Sequence, residues 1–153
     1  MKKIFAAVIA ALMMLTFFGC GKETKIYDAD AVADTLNAKL EFGEILEKST
    51  ADAAYSVYGI NPAFCSKAAI YMGSGATADE IAVFNCIDEA AFKAVYEAVE
   101  ERLNYLHEGY SSYGPQEIPK IEAATIIAKG NTVIFCICEN PENAEAVADS
   151  AAK

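Results

Sequence analysis

The apolar positions of the chain change period several times, and each change marks an element. Ala29, Val32, Ala33, Leu36 and Leu40 recur at helical spacing behind Asp28 and Asp30, either of which suits an N-cap. Glu41 to Lys48 is short and partly apolar and reads as a strand. Ala51 to Tyr58 reads as a short helix ending at Gly59, ahead of the breaker pair Asn61-Pro62. Ala63 to Met72 predicts a strand, Gly73 to Thr77 a loop, and Glu80 to Ile87 a strand rich in β-formers. Asp88 then caps the clearest helix. Phe92, Val95, Tyr96, Val99, Leu103 and Leu106 form one stripe, Lys93, Glu97, Glu100 and Glu101 face away, and Gly109 predicts the stop. Ser111 to Pro119 reads as a loop. Ala123 to Lys129 and Thr132 to Glu139 are strands joined by the hairpin signal Gly130-Asn131, and Asn140-Pro141 opens a last helix.

This order predicts an α+β fold, an antiparallel sheet of four to five strands with helices packed on one face. The hairpin turn pairs Lys129 with Thr132 and fixes the rest of the register. One face then carries Ala124, Ile126, Ala128, Val133, Phe135 and Ile137, the core beneath the long helix. The other carries Thr125, Ile127, Lys129, Thr132, Ile134, Cys136 and Cys138, a mixture expected where a sheet partly meets water.

The N-terminus departs from both periods. Met1-Lys2-Lys3 is a positive start, and Ile4 to Phe18 holds no charge and one Thr. A helix over that run spans roughly 22 Å, short of the ~30 Å hydrocarbon core, which favours an export signal over an uncleaved anchor. The run ends in Phe17-Phe18-Gly19-Cys20-Gly21, which resembles the lipobox of bacterial lipoproteins, where a small residue precedes a cysteine that receives diacylglycerol. The expected organisation is a lipoprotein signal peptide over 1–19, a lipidated tether over 20–27 with the acyl chains (palmitate or similar) on Cys20, and one α+β domain over 28–153. The domain then lies on the outer side of the cell membrane.

Twelve Lys+Arg stand against 22 Asp+Glu, for a formal net charge of -10. Two of those bases are Lys2 and Lys3 and no acid precedes Glu23, so loss of the leader leaves ten bases against 22 acids, or -12. An acidic domain of this kind argues against nucleic-acid binding. It is repelled by anionic lipid over a Debye length of about 8 Å, so it is expected to stand off the bilayer.

Candidate chemistry is sparse. His107 is the only histidine, near a helix end, and neither a nucleophile elbow nor a phosphate loop occurs. Neither a metal nor a cofactor is called for, and no catalytic residue stands out. If Ala63 to Met72 pairs back on Glu80 to Ile87, Cys65 falls near Cys86, and with Cys136 and Cys138 all four thiols could share the non-helical face. They are then small buried hydrophobes, a Cys65–Cys86 disulfide, or a metal or redox site. Tyr105, Tyr110 and Tyr113 with Pro115 form an aromatic cluster that lines a ligand groove, presents a protein-binding patch, or clamps a loop onto the core.

Tyr58-Gly59-Ile60, the run Gly73-Ser74-Gly75-Ala76-Thr77-Ala78-Asp79-Glu80-Ile81-Ala82-Val83-Phe84, Arg102, Tyr110-x-x-Tyr113-x-Pro115 and Gly130-Asn131-x-Val133 together resemble the bacterial lipoprotein family called domain of unknown function 4358. The resemblance spans about Ala31 to Asp149. It implies an exported, lipid-anchored α+β domain, mostly of anaerobic Gram-positive bacteria, with no established activity. The expectation is a non-enzymatic binding or interaction domain with an unknown protein or small-molecule ligand. A thiol-based redox or metal-binding protein is the alternative, and a structural accessory to a membrane assembly a third.

Overall fold

A computed structural model describes residues 25–153. Asp28 caps helix α1 (Ala29–Lys39) by accepting from the Ala31 amide, and Thr50 caps α2 (Ala51–Tyr58) in the same way. Strands β1 (Glu47–Ser49), β2 (Cys65–Met72) and β3 (Glu80–Cys86) lead into the long helix α3 (Glu89–Tyr113), capped by Asp88. The short helix α4 (Ile118–Glu122), the hairpin β4 (Thr125–Lys129) and β5 (Thr132–Ile137), and helix α5 (Ala144–Ala151) complete the chain. The five strands form one antiparallel sheet in the order β1-β2-β3-β5-β4. This is the expected α+β class.

The hairpin register agrees with the turn: Lys129 lies opposite Thr132 and Ala128 opposite Val133, with Gly130 at a φ of 57°. Val133, Phe135 and Ile137 face Val95, Val99 and Leu106 of α3. The second face is where expectation and structure part. Ile127, Ile134, Cys136 and Cys138 are buried, not open to water, because α1 and α5 cover them through Val32, Ala33, Leu36, Ala144 and Ala148. Helices therefore pack on both faces of the sheet rather than on one. Alternation along a strand reports which residues share a face, but the covering helices come from the two ends of the chain, beyond the reach of local pattern.

Several boundaries also move. The strand expected over Glu41 to Lys48 shrinks to Glu47–Ser49. The long helix runs through Gly109 and stops at Gly114. A helical glycine costs about 1 kcal/mol against alanine, and burial of Leu106 and Tyr110 on either side of it offsets that. The expected loop Ser111 to Pro119 is the end of this helix, a 3-10 turn (Pro115–Glu117) and the start of α4. Ile26 exchanges backbone hydrogen bonds with Lys153 at 2.8 and 3.1 Å, so the two ends of the described chain are joined.

Candidate functional site

Asp79 and Glu80 stand side by side where β3 begins, and both are buried. Consecutive residues of an extended chain point in opposite directions, and these two carboxylates find different partners. Glu80 meets Arg102 of α3: Nη2 donates to Oε2 at 2.6 Å and Nε to Oε1 at 3.2 Å. The Tyr58 hydroxyl donates to the same Oε1 at 2.5 Å. Arg102 is the only arginine of the chain. Burial opposes its charge, and the Glu80 carboxylate outweighs that and raises its pKa. Tyr58, buried beside that carboxylate, is pushed well above the ordinary phenol range.

Asp79 binds Lys120 at 3.0 Å, and Lys120 also reaches Glu117 at 3.1 Å and Glu139 at 2.6 Å. Burial works against the Lys120 ammonium, yet the three carboxylates raise its pKa. The other Asp79 oxygen accepts from the Gly43 amide at 2.7 Å.

Between these two ion pairs lies the loop Gly73 to Ala78, held from three sides. Glu44 accepts from the Ser74 amide at 2.9 Å, the Thr77 amide at 3.2 Å and the Thr77 hydroxyl at 2.8 Å. Those donors, the Ser74 amide first, hold its carboxyl down to about 2. The Ala78 amide donates to Glu117, and the Tyr110 hydroxyl reaches the carbonyls of Gly75 and Thr77. A Cβ at Gly73 would come within 2.4 Å of Glu44 Oε1, so any larger residue there would have to displace the Glu44 carboxylate that holds the loop. The run that carries the resemblance is thus a locked scaffold that delivers Glu80 to Arg102.

Above Arg102 opens a groove of about 520 Å³ between the end of α2 and the middle of α3. Met72 and Ala98 supply apolar wall, Glu101 an acidic one, and the rings of Tyr58 and Tyr105 lie 5.9 and 5.6 Å from the guanidinium carbon. Glu80 occupies Nε and Nη2. Among the described residues Arg102 Nη1 donates to none, and the guanidinium, flanked by the two aromatic rings, belongs to a residue that lines the groove. An acceptor atom on a flat or partly apolar molecule matches this chemistry.

The three tyrosines do not form one patch. Tyr110 is 3% exposed and clamps the loop, whereas Tyr105 (68%) belongs to the groove and Tyr113 (66%) stacks on Tyr110 at 4.7 Å. The four thiols do not share a face either. Cys65 and Cys86 pair across β2 and β3 on the α3 side, while Cys136 and Cys138 are buried beneath α1 and α5. Among the described residues no group of three or more His, Cys, Asp or Glu is placed to hold a metal. His107 sits 3.5 Å from Glu122. Cys20 and the signal segment lie outside the described residues.

Glu80, Arg102 and Lys120 do not stand out in the sequence as a polar framework, although Arg102 carries a signal. Positions 95, 99, 102 and 106 lie on one helical face, so the only arginine interrupts a buried stripe.

A family model described as a domain of unknown function (DUF4358) matches residues 38–138, a span that includes every groove residue named above. No curated protein and no solved structure matches the chain.

Proposed function

The chain belongs to the DUF4358 family of uncharacterised domains, and from that premise we propose that it is a non-enzymatic binding domain, moored by lipid on Cys20 outside the cytoplasmic membrane, with the Arg102 groove as its ligand site. The groove carries this reading. Its volume lies within the range of roughly 300–1,000 Å³ common to small-ligand sites. Glu80 and Tyr58, the groups nearest to acid–base chemistry, are spent on one another and on Arg102. That arrangement supports Arg102 as a fixed hydrogen-bond donor rather than a proton-transfer site. The acidic surface disfavours polyanions, so the expected ligand is uncharged or zwitterionic, such as an amino acid or a short peptide, offering a carbonyl or carboxylate oxygen to Arg102 and an apolar part to Tyr105 and Met72.

The tether supports a groove turned away from the bilayer. Asn85 at the far end of β3 donates to the Tyr27 carbonyl and accepts from the Ala29 amide. A seven-residue strand covers about 20 Å, so the Glu80 end stands that far from the entry of the chain. Five residues, 21–25, then separate Cys20 from Ile26, the first pinned residue, at most roughly 22 Å of leash.

Intact mass spectrometry of the chain from native membranes tests the anchor: cleavage before Cys20 with an added diacylglycerol is expected, and a retained leader or bare thiol refutes it. A nuclear magnetic resonance screen of amino acids and dipeptides tests the groove. Shifts are expected at Met72, Ala98 and Tyr105 and are lost in Tyr105→Ala; hits confined to other surfaces refute the site.

A further inference from the structure

Cys65 begins β2 and Cys86 ends β3, and the two lie directly opposite one another in the antiparallel ladder. The Cys86 amide donates to Asn131 on the β5 side, while the adjacent Ile87 amide donates to Phe64 at 3.0 Å. Cys86 therefore turns its backbone polar groups away from β2, and Cys65–Cys86 is a non-hydrogen-bonded pair. In such pairs the Cα atoms approach to about 4.5 Å with the side chains close together, inside the 4.4–6.8 Å span of disulfides. A register shift between Cys65 and Lys67 makes Ser66 an extra residue. Without it Cys65 would point away from the face of Ala68 and Ile70; with it Cys65 packs on the same core cluster as Cys86.

We propose that Cys65 and Cys86 form a reversible disulfide that staples the start of β2 to the end of β3, a modification site independent of the Arg102 groove. Cys65 is half-buried and Cys86 is buried, so Cys65 is the thiol that meets an oxidant. The neighbouring sulfur favours the same order, holding the Cys65 thiol below its ordinary value and pushing that of Cys86 up. The oxidant is a low-molecular-weight disulfide. Cys65 thiolate attacks one of its sulfurs, forming a mixed disulfide and releasing one thiol. Cys86 thiolate then attacks Cys65 Sγ, the mixed S–S bond breaks and the second thiol leaves. Two protein thiols lose two protons and two electrons, and the oxidant gains them. Cys136 and Cys138, with 0% and 1% exposure, are internal controls.

The test uses the full chain, purified reduced in detergent and equilibrated with oxidised glutathione. Non-reducing peptide mapping is expected to join the segments containing Cys65 and Cys86, with both remaining mature-domain thiols free and the melting temperature raised by roughly 5–10 °C. Cys86→Ser is expected to retain glutathione on Cys65, and Cys65→Ser to retain none. Wild-type protein in which Cys65 and Cys86 stay free, a link through Cys136 or Cys138, or glutathione persisting on wild-type Cys65 would each overturn the proposal.

Discussion

At the scale of single residues, the Glu80–Arg102 pair dominates. Both side chains are largely buried, at 4% and 12% exposure. A buried ion pair contributes little net stability, because desolvation offsets attraction, but removing one partner leaves a stranded charge worth about 3–5 kcal/mol. Arg102→Met should therefore lower the unfolding free energy by about that amount. Glu80→Gln/Arg102→Met, which keeps an acceptor for Tyr58, should recover at least half; urea denaturation of the single and double variants checks this. Glu44 gives the pH dependence. Its carboxyl is lowered from 4.5 to about 2, so its ionised form favours the folded state above pH 4.5 and that contribution is lost as pH falls toward 2. Asp28, Asp30 and Asp149 are lowered as well and add to the same acid limb. Thermal melts followed by circular dichroism should show Glu44→Gln with a lower midpoint at neutral pH and a shallower decline in acid, but not a flat one.

At the scale of elements, the two glycines at the end of α3 predict opposite outcomes. Gly109 is inside the helix, and a Cβ there would meet only the Tyr113 ring at 3.7 Å, ordinary contact. Gly109→Ala should stabilise the protein by about 0.5–1 kcal/mol through helix propensity. At Gly114 a Cβ would stand 2.9 Å from the Tyr110 ring. Since Tyr110 holds the Gly73 to Ala78 loop, Gly114→Ala should destabilise by about 1–3 kcal/mol. Shifts of the urea midpoint in opposite directions are the expected result. The elements were largely legible: the caps Asp28 and Asp88 and the Gly130-Asn131 turn each fixed an end by local hydrogen bonding or positive φ. The end of α3 was not, because Gly109 signals a stop locally while the surrounding burial carries the helix past it.

At the scale of the whole molecule, the chain builds three layers, α2 and α3, the sheet, then α1 and α5. The outer helices are therefore structural and not decoration on a half-open sheet. Leu36, with 0% exposure between α1 and the sheet, should cost about 2–5 kcal/mol on Leu36→Ala. A cost below 1 kcal/mol in calorimetry would mean that the second core is loose. The same layering separates the thiols and sends Asp79 and Glu80 to different cations, so the candidate site is a product of tertiary arrangement.

The sequence alone determined the caps, the hairpin register, which residues of β4 and β5 share a face and the acidic character of the domain, since each depends on neighbouring residues or on a sum over all of them. Only the tertiary structure decided what covers the second face, how the bulge at Ser66 aligns Cys65 with Cys86, and which cation each buried acid receives. Glu80 and Arg102 are 22 residues apart and Asp79 and Lys120 are 41 apart; periodicity can mark such a residue as inward-facing, but its partner is fixed only when the layers close.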